Sequence, residues 1–195
     1  DHPELPPARR ALLKSDLGDI IHFVEERPDL GLAVRVTWRV SPRFGLVRSV
    51  EVSTTGSHDV VLDVVDGLRN FLPPGVTART QRELAPLLDA YKVCELDDSG
   101  LAWVRLNARL TDRAEASEAL AVTTVWQVGR TDPSYCLSVD GLSSWPTAPA
   151  STQVRGERAA YLVRSEVRVA PGTPARWSTV VDVDQDAADV VSLRA

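Results

Sequence analysis

The chain has no methionine, two cysteines, three histidines and only two lysines among its 195 residues. Each scarcity excludes something. Two cysteines, Cys94 and Cys136, make no disulfide framework, and neither has metal-ligand spacing around it. They read as reduced, structural thiols, with a single disulfide as the alternative. His2, His22 and His58 lie far apart, so no close ligand pair is present and no metal or cofactor is expected. No apolar stretch approaches the length of a membrane span. No basic n-region followed by an apolar h-region marks a leader, which points to a cytoplasmic protein. Lys14 and Lys92 are the lysines, and 22 basic residues stand against 27 acidic ones without clustering. A phosphate-tracking face needs clustered cations, so no nucleic-acid partner is implied. The absence of methionine, with Asp1 in first place, reads as a domain excised from a longer polypeptide, or as a chain from which modified methionines have been dropped.

The motif inventory is equally sparse. There is no G-x-G-x-x-G, no phosphate loop, no H-E-x-x-H and no nucleophile elbow. What is present is ordinary globular composition, 44% apolar and 25% charged, in a chain long enough to bury a core without staples. It reads as one domain over residues 1–195, with a proline-rich, loose lead-in over 1–18.

Alternation dominates the pattern. Val34, Val36, Trp38 and Val40 share one phase, with Arg35, Thr37 and Arg39 in the other. Leu46 to Ser53, Asp59 to Val65, Leu101 to Leu110 and Ala119 to Val128 follow the same period of two, and Arg158 to Val169 reads as a long strand joined by a sharp Ala170–Pro174 turn to Ala175 to Val183 as a hairpin. In Ala119 to Val128 the set Leu120, Val122, Thr124, Trp126 and Val128 alternates strictly, which places Trp126, like Trp38, in the core. Strand follows turn follows strand, with no helix available for parallel crossovers, so antiparallel pairing is expected. Thr80 to Tyr91 has helical spacing, although Pro86 fits only near a first turn. Asp186 to Leu193 reads as a short terminal helix. Two sheets packed face to face bury all the apolar faces at once. The expected fold is therefore a mainly β, antiparallel sandwich with one or two short helices.

Polar segments punctuate these strands. Asp66 to Gly75 and Asp112 to Glu118 read as turns, the kind of segment that carries binding or catalysis when held between rigid elements. Arg69 and Asn70 follow Gly67; a guanidinium fork and an amide can grip a ligand, or can satisfy loop carbonyls. Asp66, Asp89, Tyr91, Lys92, Glu95, Asp112, Arg113, Glu115 and Glu118 suit a half-buried ion network. Trp103 is in phase with Arg105 and Asn107 on a polar strand face. An aromatic ring beside polar donors suits a sugar platform, and equally an inter-domain contact. Trp145, in the patternless stretch from Gly141 to Gly156, is a further ligand or anchor candidate in a segment expected at the surface. Glycoside hydrolysis would need two carboxylates about 5 Å or roughly 6.5–9.5 Å apart. Asp66, Asp89, Glu95, Asp112, Glu115 and Glu118 are the candidates for that alternative. A third reading is a structural domain that associates with itself.

Four pieces together carry a likeness: Asp66-Gly67-Leu68-Arg69-Asn70-Phe71-Leu72-Pro73, Asp89-Ala90-Tyr91-Lys92, Asp112-Arg113-Ala114-Glu115 with Glu118-Ala119-Leu120, and Arg158-Ala159-Ala160-Tyr161-Leu162 with Ala170-Pro171-Gly172. From about Leu32 onward the chain resembles the N-terminal supersandwich domain of the cellobiose phosphorylase and cyclic β-glucan synthase group of large bacterial proteins. The resemblance implies an accessory module that packs against a neighbouring helical barrel of the same polypeptide and helps to complete its oligosaccharide groove. The group's catalytic acid belongs to that barrel, so no catalytic residue is carried onto this chain.

Overall fold

A computed structural model of the protein describes residues 8–108, 120–140 and 151–194. Among them are twelve strands and three short helices in the order β1 (Arg9–Lys14), β2 (Ile20–Arg27), β3 (Leu32–Ser41), β4 (Gly45–Thr54), β5 (Val60–Arg69), α1 (Ala78–Glu83), α2 (Ala85–Tyr91), β6 (Lys92–Leu96), β7 (Ala102–Leu106), β8 (Val122–Val128), β9 (Ser134–Cys136), β10 (Gln153–Arg155), β11 (Ala160–Val169), β12 (Ala175–Gln185) and α3 (Ala187–Arg194). The strands form a nine-stranded sheet, β1-β2-β3-β4-β12-β8-β7-β6-β10, and a three-stranded sheet, β5-β11-β9. The fold is mainly β and antiparallel, in keeping with a β-sandwich.

Two compact units are distinguished. The first comprises Asp1–Val64, Gln127–Asp132 and Ser165–Val180. Its meander β1 to β4 pairs in simple antiparallel register, with Val34 opposite Val52 and Val36 opposite Val50. Those residues therefore share a face, as the alternation requires. They pack with Val167, Val169 and Trp177 into one core, to which Leu62 and Val64 add. Trp177 is buried, with the Arg130 guanidinium 4.5 Å above its ring. The stretch Arg9–Lys14, placed by sequence in the loose lead-in, is a strand paired with β2 along its whole length. The prolines that suggested a lead-in all precede it.

The second unit comprises Val65–Trp126, Pro133–Arg164 and Val181–Ala195. Its core joins Cys94, Ala102, Val104, Val125, Leu137, Tyr161 and Val163. Tyr161 is fully buried, and its Oη donates to the Gly100 carbonyl at 2.8 Å. Cys94 and Cys136 are free thiols, and burial pushes the Cys94 thiol up to about 12.

Three local readings change. The helix expected over Thr80 to Tyr91 is two helices that meet at Leu84, which caps the first and opens the second. Pro86 occupies the first turn of α2, where its missing N–H is not needed. Asp66-Gly67 is not a turn, because β5 runs through it to Arg69. A Cβ at Gly67 would collide with the Tyr161 carbonyl oxygen, so glycine there allows close backbone approach rather than chain reversal. In β8 the opposite phase faces the core. Thr123 pairs with Val104 and Val125 with Ala102, which leaves Thr124 opposite Trp103. Trp126, half-buried, thus lies on the face of Trp103 and not in the core. Both phases of β8 carry β-branched residues, so its own sequence could not choose the face; pairing with β7 did.

Candidate functional sites

Two polar arrangements stand out in the second unit. The first lies on one face of β7, β6 and β10. Glu95 is directly opposite Trp103 on β7 and Gln153 on β10. The Trp103 indole Nε1 donates to Glu95 Oε2 at 2.9 Å. Gln153 Nε2 donates to Glu95 Oε1 at 2.6 Å, and Arg105 Nε reaches Oε2 at 3.4 Å. Arg105 extends to Asn107 Oδ1 at 3.4 Å, and Arg155 Nε donates to Gln153 Oε1 at 3.0 Å. Val93, on the same face between Arg155 and Arg105 in register, is fully buried. The result is a half-buried aromatic ring fixed by a carboxylate and flanked by guanidinium and amide groups. Burial works to raise the Glu95 carboxyl pKa. Hydrogen bonds from Trp103 and Gln153, with the Arg105 charge, outweigh it, and the group sits below its ordinary value.

The second arrangement is a cleft of about 370 Å³ with Arg69, Asn70, Asp89, Gly156, Glu157 and Arg158 in its lining. Its floor is built on the α2–β6 junction. Lys92 is almost fully buried, and its Nζ donates to Asp89 Oδ1 at 2.9 Å and to Gln81 Oε1. Gln81 Nε2 donates to the same Asp89 oxygen at 3.1 Å. Asp89 Oδ2 is left facing Arg158 Nε at 3.7 Å, beyond hydrogen-bond distance. Burial works to raise the Asp89 pKa, but hydrogen bonds from Lys92 and Gln81 and the charges of Lys92 and Arg158 hold it below the usual value. Asn70 has a left-handed backbone, φ 55°, and its N–H is anchored to the Ala159 carbonyl at 2.7 Å. That anchors the chain at the cleft wall while the exposed Asn70 side chain stays outside the ladder.

The residues singled out by sequence are thereby redistributed. Trp103, Arg105 and Asn107, read as ligand candidates, join Glu95, read as a network residue. Arg69 and Asn70 join Asp89 at the cleft, with Lys92 beneath. Tyr91 closes α2, and its carbonyl accepts from the Asn107 N–H at 2.8 Å. Asp66, half-buried in β5, lines neither arrangement. Trp145, Asp112, Arg113, Glu115 and Glu118 lie outside the described residues, as do residues 141–150 of the segment expected at the surface. Gln81, Gln153, Arg155 and Arg158 were missed. Gln81 lies only eight residues before Asp89, in the stretch read as helical, but a single amide among polar neighbours gives no sign that it turns inward to Lys92. Arg158 comes from a distant stretch whose convergence no periodicity could signal, and Gln153 and Arg155 alternate on a three-residue strand too short to read.

No protein-family model matches the chain, and no curated protein does. Among solved structures it is similar to the Heparinase III-BT4657 gene product, with 16% identity and a TM-score of 0.39 over 95% of this chain and 23% of that one. It is similar also to the same product with methylated lysines, with 16% identity and a TM-score of 0.42 over 94% of this chain and 22% of that one. The chain spans less than a quarter of the length of those structures.

Proposed function

We propose that this chain is a non-catalytic β-sandwich module of a larger carbohydrate-active protein, using the Trp103 face to bear on a neighbouring domain and its saccharide. The observation that carries the reading is the fixed indole. Its N–H is already satisfied by Glu95, so the ring can present its apolar face without leaving a donor unpaired. Arg105, Asn107, Gln153 and Arg155 supply donors beside it, which is the composition that grips pyranose hydroxyls around a stacked ring. The segment likeness to supersandwich domains favours the same assignment. A glycosidic general acid needs a raised pKa at working pH, and Asp89, held down by Lys92 and Gln81, and Glu95, held down by Trp103 and Gln153, do not suit that role.

The test is tryptophan fluorescence during titration with β-linked and α-linked gluco-oligosaccharides, on this chain and on the chain joined to its natural neighbour. A saturable change abolished by Trp103→Ala, with the far-UV spectrum unchanged, is expected in the joined protein, and a weaker one in the isolated chain. Binding to the joined protein that is indifferent to Trp103→Ala would overturn the assignment. So would turnover by the isolated chain that a single Glu95→Gln or Asp89→Asn change abolishes.

A further inference from the structure

The Asp89 cleft has unused hydrogen-bonding capacity of both kinds. The side chains of Arg69 and Asn70 have no hydrogen-bond partner among the described residues, and Arg158 is 60% exposed, with Asp89 at 3.7 Å. Asp89 Oδ1 accepts from both Lys92 and Gln81, which fixes the carboxylate in place and leaves Oδ2 turned toward Arg158. The cleft therefore offers a held acceptor with donors around it. Gly156 adds open space, since a Cβ there would meet nothing within 4 Å.

Charge decides what fits. Two guanidiniums, Arg69 and Arg158, stand among three carboxylates, Asp89, Asp140 and Glu157, with the Lys92 ammonium behind Asp89. An anionic ligand would gain the guanidiniums but face the three carboxylates. A cation would meet the converse conflict. A neutral hydroxyl group conflicts with neither sign, because it donates and accepts at once. Two adjacent hydroxyls can span a carboxylate oxygen and a neighbouring guanidinium together, and the open cleft, at about 370 Å³, is of the size that holds a small ligand.

We propose that this cleft binds a neutral saccharide ring through adjacent hydroxyls, with Asp89 Oδ2 accepting from one and Arg158, Arg69 and Asn70 donating to others. The site is separate from the Trp103 face, and its assignment does not depend on stacking there. Glu157 is steadied by Ser138 Oγ, which donates to its Oε2 at 2.8 Å, and so forms a fixed part of the rim.

The experiment is amide NMR on the labelled chain during titration with methyl β-glucopyranoside, cellobiose and maltose, with methyl glucuronide and inorganic phosphate as charged comparators. Saturable shifts at Asn70, Gly156 and Arg158 with a neutral sugar are expected. Asn70→Gly tolerates the left-handed backbone, and Arg158→Gln is exposed, so both variants should keep the dispersed spectrum of the parent. Together they should weaken binding by about tenfold or more, the scale of losing two charge- or amide-mediated contacts. Trp103→Ala should leave the cleft shifts intact, so failure of the Trp103 reading and failure of this one are told apart. Absence of cleft shifts with every neutral sugar overturns the proposal. So does preferential binding of glucuronide or phosphate, which would make the cleft an anion site.

Discussion

Lys92 and Asp89, three residues apart across the α2–β6 junction, form an ion pair at 2.9 Å in which the lysine is 1% exposed and the acid 18%. The spacing is local, yet the pair exists because the helix ends at Tyr91 and the chain turns directly into a strand. Lys92 then points inward, in register with Leu106, while Asp89 stays at the cleft floor. Gln81 from α1 closes the triangle.

Removing the ammonium while keeping the volume should show what this arrangement contributes. Lys92→Met leaves Asp89 and Gln81 facing an apolar stem. Loss of one partner of a buried pair is the expensive case, and we expect destabilisation of roughly 3 kcal/mol, at the lower end of the usual range because Asp89 keeps some solvent. Urea unfolding followed by tryptophan fluorescence measures it. A change under roughly 0.5 kcal/mol, the size typical of an unremarkable surface substitution, would mean the triangle is not a stabilising feature.

The pH dependence of stability follows from carboxylates held below their ordinary values. Glu95, Asp89 and Asp97 are lowered in the folded protein. For Asp97 burial again opposes, and the Ser99 hydroxyl, Arg194 and the Leu101 and Ser99 amides prevail. A depressed folded pKa contributes stability that is complete above the unfolded value and is lost as pH falls through the folded one. The ordinary values are 4.5 for Glu95 and 3.8 for the two aspartates. Denaturation midpoints should therefore be flat with respect to these groups near neutrality and decline with falling pH from the Glu95 value downward. Glu95→Gln should remove part of that acid slope. An unchanged slope in this variant would show that Trp103, Gln153 and Arg105 do not favour its ionised form.

Gly67 in β5 offers a sharper structural test. A Cβ there meets the backbone of Tyr161 and Leu162, which cannot yield as a side-chain tip would. Gly67→Ala should cost at least about 2 kcal/mol, because an over-packed site with a disfavoured φ of 154° must shift a whole strand. Thermal unfolding of the variant should be lowered clearly. Gly172→Ala is the control: its φ of 74° is also unfavourable, but a Cβ there meets nothing within 4 Å. Equal losses in the two variants would mean that conformation rather than contact sets the requirement at Gly67.

The sequence by itself determined the strand-rich class and most of the strands. Their alternation is a short-range consequence of the pleat, visible wherever one phase is clearly apolar, as in Val34, Val36, Val50 and Val52. It also separated Ala102, Val104 and Leu106 from Trp103 and Arg105 on β7, because polar and apolar residues there do not mix. Where both phases were alike, tertiary pairing decided: β8 turned Thr123 and Val125 inward and left Trp126 beside the Trp103 face. Tertiary structure alone also assembled the polar sites. Glu95 meets Trp103 and Gln153 through register, 8 and 58 residues away, and Arg158 reaches Asp89 from a different part of the chain. Such convergence depends on how whole strands align, and a strand's alignment is set by its neighbours' side chains rather than by its own period.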